Sequence, residues 1–337
     1  MSWLMWWLMW APLAANLVLA TAGPRLAHAL PPRAGVRLLP GAMVVVAAGT
    51  GAVLASLGFL ALAQVPAVAA LGDWSPLSLR ATQPGPVPLE VAAGVTMLLL
   101  LGSAVRHTLR AGHLLVRADA ACRRIGAHTH GLVVVDEDVP DAYALPTLPG
   151  HLLGHPSDGI SGRIVVSTAM LRALPPDERR VLLAHEAAHL AGHHHLYVQL
   201  AELAAAANPL LRPTARGVRL AVEREADEAA AAEVGDRRLA ARALARAALA
   251  KAALAKAETS TGRRAAGVAL AATDGFVADR ARALLSPAPR PRRLLAAGLV
   301  LLAAVTLMGT AAAANRTDDS LDVAERPAAT TAVSQGR

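Results

Sequence analysis

Four stretches of the chain are long and apolar enough to cross a lipid bilayer, and they constrain its fold more than any other feature. A spanning helix needs about 20 predominantly apolar residues. We place the spans at residues 2–22, 41–64, 89–105 and 294–314. Only 17% of the residues are charged, whereas soluble domains carry about 25%. Because helices satisfy every backbone polar group within the hydrocarbon, we predict a mainly α-helical polytopic membrane protein.

The spans divide the rest of the chain into a polar domain and a tail. Residues 1–106 contain the first three spans, and residues 107–293 form a much more polar segment before the fourth span. Residues 315–337 are rich in Ala and Thr and acidic in the middle. Such a composition lacks the apolar content of a packed core, so we predict a short disordered tail.

The arginines that flank the spans set the predicted orientation. The loop after the first span contains Arg25, Arg33 and Arg37 and no acidic residue, and further arginines follow the third span and precede the fourth. Cytoplasmic loops carry the excess of Lys and Arg, so we expect both termini outside and the polar domain in the cytosol. Flanking arginines face anionic lipid and account for much of the net charge of +8. The bilayer is therefore an expected partner, and direct contact with nucleic acid is not expected.

An H-E-x-x-H motif lies within the polar segment. Pro176 and two acidic residues that follow it begin a predicted helix. In a helix His185 and His189 share one face, where two imidazoles can bind one Zn²⁺. Glu186 is one step around the helix and can reach a zinc-bound water as general base. The motif alone also occurs by chance on surface helices with scattered histidines.

A carboxylate pair downstream supplies the missing ligand. Catalytic zinc takes three protein ligands and leaves the fourth position for water. Glu223 and Asp227 share a helix face, so Glu223 is predicted to bind zinc while Asp227 orients a ligand imidazole. The alternative assigns the ligand role to Glu225 and leaves Asp227 without one. His193 lies one turn beyond His189, so a second metal there is a further alternative.

These elements together resemble the BlaR/MecR-type membrane metallopeptidases, which are the protease part of the beta-lactam sensor-transducers. The pair of motifs is also similar to that of the HtpX and CAAX-prenyl-protease group. Residues Asp141–Pro146 and Gly162–Thr168 resemble the strand pair that precedes the zinc helix in such enzymes. Independently, β-branched runs predict strands at Gly131–Val135 and Arg163–Ser167. The resemblance implies an α+β zincin (gluzincin-like) metalloprotease domain with one Zn²⁺, in the bacterial cytoplasmic membrane.

The resemblance also implies a biological role. It predicts an endopeptidase that cuts a protein substrate in regulatory signalling, with a winged-helix transcriptional repressor as a possible partner. A strand near the zinc site would receive the substrate as an extra strand, but the sequence does not identify which one. The beta-lactam sensors carry a penicillin-binding domain after the fourth span, for which the 23 residues after Ala314 leave no room, so beta-lactam binding is not expected. The alternatives are a quality-control protease and a non-catalytic signalling scaffold.

Overall fold

Helices and one small sheet make up the regular structure of the described residues. The structure, a computed structural model, describes residues 8, 10–71, 74–82, 85–124, 131–146, 162–260 and 266–325. Its helices, in chain order, are α1 (Ala11–Ala29), α2 (Pro32–Ala63), α3 (Pro66–Ala69), α4 (Pro76–Thr82), α5 (Val87–Arg124), α6 (Thr168–Ala173), α7 (Pro176–Ala191), α8 (His194–Ala207), α9 (Arg212–Val234), α10 (Arg237–Ser260), α11 (Ala266–Leu285) and α12 (Arg293–Glu325). Its strands are β1 (Leu132–Val135), β2 (Ala142–Pro146) and β3 (Gly162–Ser167).

Three helices within the described residues are long and apolar enough to cross a membrane. They are α2, α5 as far as Ala121, and α12 as far as Ala324, and they contain the second, third and fourth predicted spans. Part of the first predicted span, residues 2–7 and 9, lies outside the described residues. From Ala11 onward the predicted span belongs to α1, which continues to Ala29.

These helices are longer than the predicted spans, because an apolar run marks only the part of a helix that suits the bilayer. Helix α5 crosses the predicted boundary at residue 106 without a break and ends at Arg124. Helix α12 continues to Glu325, so residues 315–325 are helical and the prediction of a disordered tail is wrong for them. Leu321 and Ala324 in this extension pack in a cluster with Leu60 of α2 and Leu79 of α4, which gives the extension an apolar surface to cover. Residues 326–337 lie outside the described residues.

The apolar helices share one core with α9, the helix that carries Glu223. A single cluster of buried residues combines α1, α2, α8, α9 and α12, and it includes Leu39 and Met43 of α2 with Val218 of α9. Helices α1 and α9 pack closely at Gly23, where any larger side chain would clash with Thr214. The Thr214 hydroxyl donates to the Leu19 carbonyl at 2.7 Å. Helix α9 is therefore fixed against the apolar helices before it reaches the functional site.

The sheet places its edge strand β2 beside the helix that carries the H-E-x-x-H motif. Its order is β1-β3-β2, with β1 parallel and β2 antiparallel to the central strand β3. The β-branched residues that predicted β1 and β3 pair as Val133 with Val165 and Val134 with Val166. Helix α7 contacts β2 and β3. The strand pair predicted at Asp141–Pro146 and Gly162–Thr168 is thus confirmed as β2 and β3.

Two glycines end the helices on either side of the site. Gly192 follows α7, and the next residue, His193, adopts a left-handed backbone with φ of 50° before α8 begins. This turn changes the direction of the chain between Ala191, the last residue of α7, and His194, the first residue of α8. Gly235 ends α9 with φ of 71°, a conformation that glycine adopts without steric penalty. Helices α10 and α11 then pack against each other and return to α9.

Candidate metal centre

Helices α7 and α9 bring two imidazoles and one carboxylate to a single point. The Nε2 atoms of His185 and His189 lie 3.1 Å apart. The Glu223 carboxylate lies with Oε2 at 3.6 Å from His185 Nε2 and Oε1 at 3.7 Å from His189 Nε2. One ligand atom from each of the three residues falls within 4.8 Å of the others. The structure therefore brings together the three residues that the sequence proposed as metal ligands.

The spacing of these atoms fits a tetrahedral zinc ion. Zinc binds His nitrogen and carboxylate oxygen at about 2.0–2.2 Å, so two ligands at a tetrahedral angle lie about 3.3 Å apart. The observed separations of 3.1, 3.6 and 3.7 Å bracket this value. The donor set of two imidazoles and one carboxylate is also one that catalytic zinc uses. The residues present therefore fit a zinc ion.

Asp227 fixes the tautomer of the first histidine. Its Oδ1 lies 3.1 Å from His185 Nδ1, and because a carboxylate only accepts hydrogen bonds, His185 Nδ1 carries the proton. In the neutral ring, Nε2 then presents its lone pair to the metal position. Arg280 of α11 holds Asp227 in turn, donating from Nε at 2.8 Å and from Nη2 at 2.7 Å. A third nitrogen of Arg280, Nη1, lies 2.9 Å from Glu223, so one guanidinium orients both carboxylates.

A second carboxylate fixes the tautomer of the other histidine through an intermediate ring. Glu225 Oε2 lies 3.4 Å from Nε2 of His194, so that nitrogen carries the proton. Neutral His194 then accepts through Nδ1 from Nδ1 of His189, 3.0 Å away, which leaves His189 Nε2 free for the metal. Glu225 is also within 3.8 Å of Arg33 at the start of α2. Glu225 thus faces His194 and not the three-ligand cluster, which disfavours its alternative assignment as ligand.

The three proposed ligands shift one another's pKa values. Burial opposes a charge on His185, but hydrogen bonds to Asp227 and Glu223 outweigh it and raise the pKa of His185 to about 9. Burial and the neighbouring His185 charge lower the pKa of His189 to about 4. Burial disfavours the Glu223 charge, yet His185 and Arg280 lower the pKa of Glu223 to about 2. Metal binding through Nε2 requires the neutral His185 ring, so a metal ion and a proton compete for that nitrogen.

Glu186 lies beside the cluster in a largely buried position. Its side chain is 8% exposed, and the backbone of Ala144 in β2 hydrogen-bonds to it. Burial raises the pKa of Glu186, against the opposing effect of His185. A raised pKa makes a carboxylate a stronger base, which suits a group that accepts a proton and then returns it. The sequence had placed Glu186 here as the general base.

A cavity of about 610 Å³ opens onto these groups. One side is formed by β2, through Ala142 and Tyr143, and the other by an alanine-rich face of α10. Lys251 stands at the cavity and forms an ion pair with Asp141 at 2.7 Å. Most of the lining is apolar, and the polar groups converge on the metal position. This is the arrangement expected of a binding site that orients a largely apolar ligand.

Sequence reasoning missed two residues and misplaced a third. Arg280 follows the ligands by more than fifty residues and no motif marks it. His194 was passed over because it is not on the α7 face, and only the left-handed turn at His193 brings it back to His189. His193 itself is exposed beyond the end of α7, so the α7 face does not continue to a second metal there.

Part of the chain is similar to a known protein family. Residues 110–207 match the sequence model of peptidase family M48, a family of zinc metallopeptidases. No curated protein and no solved structure matches the chain. The matched residues include all of α7 with its H-E-x-x-H motif and end before Glu223, so Glu223 and Asp227 join the site through the geometry of α9 alone. The segment that carries His185, Glu186 and His189 is therefore similar to the M48 metallopeptidases.

Proposed function

We propose that the protein is an integral-membrane zinc endopeptidase. The observation that carries the proposal is the arrangement of His185, His189 and Glu223 at tetrahedral spacing, with both rings held in the tautomer that turns Nε2 toward the metal position. A scaffold with a vestigial site would not need these supporting hydrogen bonds. The M48 match and the three apolar helices support the same conclusion.

The chemistry follows from the residues around the metal position. Zinc held by His185, His189 and Glu223 would polarise the substrate carbonyl and lower the pKa of a bound water to about 7. Glu186 accepts a proton from the attacking water and returns it to the amide nitrogen as the peptide bond breaks. Its burial, which raises its pKa, suits both transfers. Asp227 holds the ring of His185, and Arg280 holds Asp227 and Glu223.

Strand β2 is the best candidate for the substrate-docking strand. It is an edge of the sheet, it lines the cavity, and its Ala144 backbone contacts the catalytic carboxylate. A substrate segment that pairs with β2 would pass over the metal position as an added strand. The opposite wall of alanines on α10 favours apolar substrate side chains over charged ones.

We further propose that cleavage occurs on the cytosolic side of a bacterial membrane and serves regulation. Arg33, one of the arginines that set the predicted orientation, reaches Glu225 beside the site, which supports a site on the arginine-rich side of the bilayer. The substrate proposal, a cytosolic repressor or another regulatory protein, rests on the resemblance to the BlaR/MecR type. Quality control of membrane proteins remains the second candidate from the sequence.

The test compares new protein termini in cells that make the wild type, Glu186→Gln or Glu233→Gln. Glu233 is an exposed position near the end of α9 and provides the matched control for the loss of one carboxylate. We expect a set of termini that appears with the wild type and with Glu233→Gln and is absent with Glu186→Gln. A repressor among the substrates would support signalling, and a broad set of membrane proteins would support quality control. Identical termini in all three would contradict the proposed protease.

A further inference from the structure

A second cavity, of about 370 Å³, lies between α5, α8 and α9 and shares no lining residue with the metal-site cavity. We call it the arginine cavity, because four arginines line it together with one histidine and one acid: Arg106, His107, Arg110, Glu202, Arg212 and Arg216. The two arginines of α5 are one helical turn apart, and so are the two of α9, so each pair shares one helix face.

Within the part of the chain that the structure describes, the positive charge of this cavity is not balanced by ion pairs. Among the residues that the structure describes, none of the four guanidinium groups has an ion pair or a hydrogen bond. The one acidic residue in the lining, Glu202, is already engaged by Arg219 at 2.9 Å. In addition, the Nε2 atom of His107 is buried without a hydrogen-bond partner. Four exposed like charges around one space, beside a half-buried histidine, indicate that a ligand with negative charge and several acceptor oxygens belongs there.

The position of the cavity along α5 indicates the source of this ligand. Arg106 and Arg110 follow directly on the apolar part of α5, whose predicted span ends at residue 105. On the other side, Leu210 is 61% exposed immediately before α9 begins. The cavity therefore lies at the boundary between an apolar surface and a charged one. In a bilayer, this boundary is at the level of the lipid headgroups.

We propose that the arginine cavity binds a phosphate group, and that an anionic phospholipid headgroup supplies it. Guanidinium groups bind phosphate oxygens in pairs, with a geometry that lysine does not provide. The same chemistry would bind free inorganic phosphate, but the position of the cavity favours the lipid. This inference does not rest on the proposed peptidase activity, since none of its residues belongs to the metal centre.

The test measures lipid retention by the full-length protein in nanodiscs and in detergent. The variant Arg212→Gln/Arg216→Gln removes two charges from the cavity. The control Arg238→Gln/Arg242→Gln removes two exposed charges at the same helical spacing from α10, outside both cavities. Phosphatidylglycerol in a phosphatidylcholine background is the lipid probe, and inorganic phosphate is the second probe. Bound phosphatidylglycerol is counted by native mass spectrometry, and binding of either probe is followed by the shift in Tm.

We expect the cavity variant to bind phosphatidylglycerol at least about tenfold more weakly than the wild type and the control. Arg212→Lys/Arg216→Lys, which keeps the charge but loses the paired geometry, should retain intermediate affinity. If inorganic phosphate binds with the same dependence on Arg212 and Arg216 while phosphatidylglycerol does not, the site stands and its ligand is the free anion. Equal binding of both probes to the cavity variant and the control would overturn the proposal, provided that the variants have the Tm of the wild type without ligand.

Discussion

His194 provides the sharpest test of how the site holds its metal. In the structure this side chain is 3% exposed and lies between Nδ1 of His189, at 3.0 Å, and the Glu225 carboxylate, at 3.4 Å. Replacement by Ala removes the acceptor for the His189 Nδ1 proton and leaves the Glu225 carboxylate without its ring partner. The His189 ring is then free to rotate or to place its proton on Nε2, where the metal should bind.

The expected loss follows from the kind of contact that disappears. Removing the hydrogen-bond partner of a metal-bound histidine reduces metal affinity by about 10–100-fold, or about 1.4–2.8 kcal/mol of binding free energy. His194→Asn keeps an acceptor oxygen near the position of Nδ1 but loses the link to Glu225. We therefore expect the zinc affinity of His194→Asn to lie between those of His194→Ala and the wild type.

Competition with a chromophoric chelator measures the zinc dissociation constant of each variant in detergent. His193→Asn is the matched control, because it removes the neighbouring imidazole and Asn tolerates the left-handed backbone at that position. We expect this control to bind zinc like the wild type. The reasoning would be refuted by a folded His194→Ala protein that holds zinc as tightly as His193→Asn.

Three further predictions test the packing of the helices, the buried charge pair and the effect of zinc on stability. A Cβ at Gly58 would lie 2.5 Å from the Gly94 Cα atom, so Gly58→Ala should lower the free energy of unfolding by about 1–3 kcal/mol. Gly41→Ala is the control, because no atom lies within 4 Å of a Cβ at that position, and it should not lower the free energy of unfolding. Denaturant titration in mixed micelles measures both variants. Arg280→Ala removes two hydrogen bonds from the buried Asp227 carboxylate and leaves His185 as its remaining partner, so it should lower the free energy of unfolding by about 1.5–3 kcal/mol, and an unchanged denaturation midpoint would contradict that pairing. Chelation of zinc should lower the Tm by several degrees, and readdition of zinc should restore it.

Local pattern was sufficient to predict the parts of the site that lie on single helices. His185 and His189 are one turn apart on α7, and Glu223 and Asp227 are one turn apart on α9, so helical spacing alone indicated which of these side chains share a face. The preference of ligand imidazoles for a carboxylate partner also predicted that Asp227 orients one of the two rings, and the structure identifies that ring as His185. These contacts depend on spacing that the sequence displays directly.

The contacts that sequence could not supply depend on how separate elements pack. Arg280 reaches Asp227 only because α11 folds back against α9. His194 reaches His189 because the backbone reverses at His193. In the same way, the helical extension of α12 depends on Leu321 meeting Leu60 and its neighbours across the molecule, and no composition within residues 315–325 indicates that surface.

The central claim is that His185, His189 and Glu223 hold a zinc ion and that Glu186 moves the proton. Zinc content and peptide turnover measured on the same preparations of wild type and Glu186→Gln test it most directly. We predict one zinc ion per chain in both proteins, and cleavage of a peptide library by the wild type alone. Turnover by Glu186→Gln would contradict the proton-transfer role of Glu186. A wild-type protein that binds no zinc would contradict the site itself.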